Sequence, residues 1–150
     1  MEATEANQAI ALRLLRTIAK CSWVILVVYF VALAVGTHLP PRAIPAAGSI
    51  NDKAVHVGMY CGLGFLAALA WRTSFGRFNR LAGLTLLVTL SLVGAVDEIT
   101  QPFFHRSCDF GDWSADVVGA AIGLVCFRIA LALYETRRRR ARRAATALPA

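Results

Sequence analysis

Several signatures of familiar chemistry are missing from this sequence. No serine sits in a Gly-x-Ser-x-Gly context, no P-loop occurs, and no His-Glu-x-x-His pair is present. Those absences remove the commonest serine-hydrolase, nucleotide-binding and zinc-protease readings. None of the four cysteines forms a Cys-x-x-Cys pair, and no Cys/His zinc spacing appears. Cys21, Cys61 and Cys126 lie in hydrophobic runs and read as small apolar packing residues, with only Cys108 in a loop. No internal repeat is visible. Charge is also sparse, at 17% of residues, and acids are the scarcer sign, with 9 Asp and Glu against 16 Lys and Arg.

What replaces charge is apolar sequence. Hydrophobic residues make up 57% of the 150, and the mean hydropathy is +0.58, above the roughly 45–50% of a soluble domain. They do not alternate with polar residues but collect into four runs: Cys21 to Val35, Val55 to Trp71, Leu81 to Val96 and Val117 to Tyr134. Each falls a little short of the roughly 20 residues that cross a hydrocarbon core of about 30 Å, so each must borrow polar residues at its ends. Lipid offers the backbone no hydrogen-bond partner, so the runs must be helices. Short connections favour antiparallel neighbours. The expected fold is all-α, an integral membrane antiparallel four-helix bundle. Residues 1–20 are expected to form a cytoplasmic amphipathic segment with Ile10, Leu14 and Ile18 on one face. Residues 21–134 form the membrane domain and 135–150 a cytoplasmic Arg-rich tail. No small-residue cleavage pattern follows the first run, so it is read as a retained helix and not a signal peptide.

The basic residues set the orientation. Arg13, Arg16 and Lys20 precede the first run, and Arg72, Arg77 and Arg80 join the second to the third. Arg137 to Arg140, Arg142 and Arg143 follow the fourth. That places twelve basic residues on one side against Arg42, Lys53 and Arg106 on the other, with Arg128 able to snorkel from the last run. The positive-inside rule then puts both termini in the cytoplasm. The net charge of +7 therefore reflects orientation and anionic lipid headgroups, and no nucleic acid is expected as a partner. The Leu39-Pro40-Pro41 turn closes the first run, and Asn51 and the capping residue Asp52 lead into the second. Trp71, Trp113 and Tyr134 fit an aromatic belt, and Phe103 and Phe104 suit a loop that dips into the outer leaflet. Gly58/Gly62 and Gly119/Gly123 would let the second and fourth helices approach closely.

The polar residues collect on the extracytoplasmic side. Asp52, Lys53 and His56 open the second helix, Asp97, Glu98 and Gln101 close the third, and Arg106, Asp109, Asp112 and Asp116 lead into the fourth. Helical spacing would put Asp52 with His56, Glu98 with Gln101, and Asp109 with Asp112 and Asp116 on shared faces. Six carboxylates face two cations, a local formal balance of −4 opposite in sign to the whole chain. Three resolutions are open: a bound divalent cation, carboxylates protonated through mutual repulsion, or salt bridges to Lys53 and Arg106. The candidate metal ligands are Asp52, His56, Asp97, Glu98, Asp109, Asp112 and Asp116. One imidazole among carboxylates suits magnesium, manganese or calcium better than zinc.

At these residues the sequence resembles the VanZ-like family of small membrane proteins. The likeness is carried by Asp52-Lys53-Ala54-Val55-His56 with Tyr60 following, Asp97-Glu98-Ile99-Thr100-Gln101, and Arg106-Ser107-Cys108-Asp109-Phe110-Gly111-Asp112. The last leads into Asp116 to Gly123. It covers roughly His38 to Gly123. The resemblance implies a bacterial cytoplasmic-membrane protein of the cell envelope, in a family whose namesake is associated with resistance to the glycopeptide teicoplanin. Family positions match at Asp52, Lys53, His56, Glu98, Gln101, Arg106, Asp109 and Asp112. Two positions depart: Asp116 stands where many relatives carry Asn, and His105 stands where the pattern leads one to expect glycine.

The functional expectation is a protein that acts on or binds a lipid-linked or anionic envelope component. His56 is the acid/base candidate, with Glu98, Asp109 and Asp112 completing a catalytic or cation-binding set, and Lys53, Gln101 and Arg106 binding the substrate. The alternatives are a non-enzymatic binding or accessory protein and a proton or ion translocator. The cytoplasmic halves of the runs are almost wholly apolar, which counts against translocation.

Overall fold

The computed structural model describes the backbone of residues 2–39 and 52–146, and side chains from residue 10 to 39 and 52 to 146. Within these, the chain is four helices: α1 (Glu2–His38), α2 (Asp52–Phe75), α3 (Arg80–Thr100) and α4 (Phe110–Thr146). A 3-10 turn over Gln101–Phe104 links α3 to α4. All four helices are long and apolar enough to cross a membrane, and no strand occurs among the described residues. The all-α four-helix membrane bundle expected from the hydrophobic runs is what forms. The Pro40-Pro41 turn, Arg42 and Asn51 lie outside the described residues.

The outer surface is what lipid requires. Val24, Val28, Leu81, Leu84, Leu92, Val118, Val125 and Leu133 are all exposed, an arrangement that water would penalise and hydrocarbon does not. α1 continues without a break from Glu2 into the apolar run, and its Ile10, Leu14 and Ile18 remain exposed. Likewise the six arginines after Tyr134 continue α4 to Thr146.

Chain-adjacent helices run antiparallel, yet the most extensive contact is between α2 and α4, which run parallel. Small residues make it possible. A Cβ on Gly119 would fall against the Val57 carbonyl, one on Gly123 against the Cys61 carbonyl, and one on Gly64 would lie 2.6 Å from the Ala120 carbonyl oxygen. Backbones this close gain dispersion contacts that larger side chains would prevent. Gly119 and Gly123 thus act as their spacing suggests. Gly62 instead receives Tyr29 of α1, and Gly58 has nothing within 4 Å of a built Cβ.

Helix ends are tied off locally. Asn79 accepts a hydrogen bond from the Ala82 N–H and caps α3, while Gly76 at φ 72° takes the left-handed conformation that ends α2. Arg128 donates to the Phe78 carbonyl at 2.7 Å, so it holds the α2–α3 connection as well as lying near that end of α4. The 3-10 turn ends on His105 at φ 62° and ψ 31°, a left-handed residue whose N–H reaches the Gln101 and Pro102 carbonyls. This explains why glycine suits the position. His105→Gly should stabilise the protein by about 1 kcal/mol and His105→Val should destabilise it, measured by thermal unfolding in detergent. Equal stability for all three residues would refute that strain.

Candidate functional site at one end of the bundle

The starts of α2 and α4 and the ends of α1 and α3 meet at one end of the bundle, and the polar residues meet there. Its rim is a set of ion pairs. Lys53 Nζ lies 2.8 Å from Asp109 Oδ2 and 3.0 Å from Asp112 Oδ1, and Arg106 Nη2 lies 2.9 Å from Asp52 Oδ2. Asp109 also accepts the Gly111 N–H, capping α4 one residue before its start. Lys53 and that N–H hold the Asp109 carboxyl below the usual carboxylate range. The salt-bridge resolution of the charge imbalance therefore operates at the rim.

One turn deeper, the residues are buried. His56, Glu98 and Gln101 are 2%, 2% and 0% exposed, and Asp116 is 0%. His56 Nδ1 lies 2.8 Å from Asp116 Oδ1, joining α2 to α4 just where the glycines bring those helices together. Glu98 of α3 accepts the Gln101 side-chain amide at 2.7 Å and the Asp109 N–H at 3.1 Å. Ligand atoms of His56, Glu98 and Asp116 all lie within 4.8 Å of one another, and so do those of Asp52, His56 and Asp112. Both sets could hold a metal ion by chemistry, since carboxylate and imidazole are suitable donors.

Asp97 is separated from this group. As the neighbour of Glu98 it must project from a different side of α3. It meets α1, where Thr37 Oγ1 donates to its Oδ1 at 3.0 Å and His38 Nδ1 lies 3.6 Å away. Beside it an apolar cleft of about 430 Å³ runs between α1 and α3, lined by Phe30, Ala34, Leu92 and Val96 and ending at His38, Asp97 and Thr100.

Four contributors had only partial signals in the sequence. Tyr60 is wholly buried one helical turn beyond His56, on the same face. Its hydroxyl and Asp116 Oδ2 lie 3.5 and 3.1 Å from where a Cβ of Gly94 would stand. Gly94 is in turn one helical turn before Glu98. Thr37 and His38 come from α1, which contributed no candidate by spacing. Trp113, read as an interfacial aromatic, donates its indole N–H to the Ser91 carbonyl of α3 at 3.0 Å.

Fold and site together define a multi-pass membrane protein with a buried, three-helix polar cluster beneath an ion-paired rim. The VanZ/LLP1 family model matches residues 3–131, and the chain belongs to that family. No curated protein and no solved structure matches it significantly.

Proposed function

We propose that this end of the bundle binds the anionic headgroup of a lipid-linked envelope component, and that His56 acts on it as acid and base. The observation that carries the reading is the buried His56–Asp116 pair at 2.8 Å, set one turn below the only described cations of that end, Lys53 and Arg106. A carboxylate against Nδ1 fixes the imidazole orientation and leaves its other nitrogen for proton transfer. Arg106 is a planar donor suited to an anion, which would take the place of Asp52 against the guanidinium. Lys53 would exchange one of its two carboxylates in the same way. The cleft beside Asp97 has the apolar lining that an acyl or prenyl chain needs, so a lipid-linked molecule could lie along α1 and α3 with its headgroup at the rim.

The basic asymmetry of the sequence supports an extracytoplasmic position for this end, with both termini in the cytoplasm of a bacterium. The link to glycopeptide resistance belongs to the same proposal, and follows if the molecule acted on is one that such an antibiotic meets. Mass spectrometry of lipids retained by the purified protein tests the binding step. The wild type should retain an anionic lipid species that Arg106→Gln loses at least tenfold. Equal retention by both would remove Arg106 from headgroup capture and count against the reading.

A further inference from the structure

The rim pairs account for Asp52, Asp109 and Asp112, but not for the acids beneath them. Glu98 and Asp116 are both buried, come from different helices, and share a single imidazole. Two carboxylates against at most one positive charge leave a deficit of cation at a place that water does not reach. The second metal-capable set, Asp52, His56 and Asp112, has no such deficit, because Arg106 and Lys53 already engage its two acids.

A separate observation points the same way. Among the described residues, Asp116 Oδ2 and Gln101 Oε1 have no hydrogen-bond partner although both residues are 0% exposed. Asp116 Oδ1 is committed to His56, which leaves Oδ2 directed at Gly94 on α3. Gly94 lies one turn from Glu98, so this oxygen faces the side of α3 that carries the second carboxylate. The Gln101 amide is already fixed against Glu98 through its nitrogen, and its oxygen is a further neutral donor. Tyr60 Oη, beside Asp116 Oδ2, and Asp97 Oδ2 on the α1 side of α3 are unpartnered as well; buried polar atoms without partners are rare, and an ion is one of the groups that would satisfy them.

We propose that His56, Glu98 and Asp116 form a divalent-cation site, with Gln101 Oε1 as an auxiliary oxygen donor. Oxygen ligands with one imidazole select a magnesium- or manganese-type ion. The site stands on the cluster itself; its role, offsetting the acids and drawing an anionic headgroup inward, rests on the headgroup binding proposed above, and an ion on His56 would occupy the imidazole lone pair that acid/base chemistry needs, so His56 serves one role or the other at any one time.

Mn²⁺ is the probe. Full-length protein in nanodiscs, stripped of metal by chelation, should bind one Mn²⁺ per chain when free ion is followed by electron paramagnetic resonance. The bound ion should show ¹⁴N coupling from an imidazole. Glu98→Gln and Asp116→Asn should each weaken binding at least tenfold. Glu135→Gln, at the opposite end of the bundle, should leave it unchanged. Absence of saturable binding, absence of ¹⁴N coupling in the wild type, or equal affinity in Glu98→Gln and wild type would each overturn the site. The ¹⁴N measurement needs no variant and so does not depend on any variant's folding. Arg106→Gln separates the two proposals, since it should lose the retained lipid and keep Mn²⁺. Lipid retention without Mn²⁺ binding sinks only the cation site, and Mn²⁺ binding with unchanged lipid in Arg106→Gln sinks only the headgroup reading.

Discussion

Gly123→Leu is expected to separate α2 from α4 and destabilise the protein by about 3 kcal/mol or more, near the top of the range for overpacking. Even the first carbon of a side chain there meets backbone: the Phe65 nitrogen at 2.9 Å and the Cys61 carbonyl carbon at 3.0 Å. Neither can swing away as a side-chain tip would, so the helices themselves must part. Gly119→Leu should behave alike, because its Cβ would lie 2.9 Å from the Val57 Cα. Gly58→Ala supplies the comparison, having nothing within 4 Å, and should change stability by no more than about 1 kcal/mol. Unfolding in mixed micelles, followed by circular dichroism, measures all three. Similar stability for Gly58→Ala and Gly123→Leu would show that the parallel α2–α4 contact does not hold the bundle together. The effect should also reach the site, because His56 and Asp116 sit one residue and three residues from Val57 and Gly119 respectively.

The second large effect is expected at Asp116. Asp116→Leu removes the group that His56 Nδ1 meets at 2.8 Å and leaves a buried imidazole unpaired. Breaking one side of a buried pair costs about 3–5 kcal/mol, whereas replacing both sides by apolar residues is often neutral. The double variant His56→Leu/Asp116→Leu should therefore be more stable than Asp116→Leu alone, while remaining without function. Asp116→Asn keeps the shape and a hydrogen-bonding atom toward His56, and should retain the fold. That recovery separates a functional pair from one kept for stability. A double variant no more stable than the single would show that His56 and Asp116 are not coupled.

The membrane helices were legible because burial in lipid is written as long apolar runs, a signal that needs no tertiary information. Their extent was less so: α1 and α4 continue into the polar segments at both chain ends, since helix propensity and not hydropathy governs a solvated turn. The candidate site was visible as a set for a similar reason, because an ionisable side chain near a membrane core demands an explanation at each position. The assignment within the set was not visible. Asp97 and Glu98 are adjacent in sequence but serve α1 and α4 separately, a division decided by the rotation of α3. Salt bridges to Lys53 and Arg106 were one of three resolutions that the charge count left open, and which acids they engage, Asp109 and Asp112 for Lys53 and Asp52 for Arg106, is set by the packing of the helix ends. The parallel packing of α2 on α4 was only half signalled, by Gly119 and Gly123 and not by Gly58 or Gly62. Small-residue spacing marks where helices can approach and leaves open which of them do.

On the function proposed above, the buried cluster acts on an envelope molecule and is not there merely to join helices. The most direct test is mass spectrometry of envelope lipids and lipid-linked precursors from cells expressing the wild type or His56→Ala, with both proteins verified in the membrane at equal level. At least one anionic lipid-linked species should change with the wild type and not with His56→Ala. Identical profiles from the two would contradict a chemical role for His56 and leave the cluster as a binding or structural element.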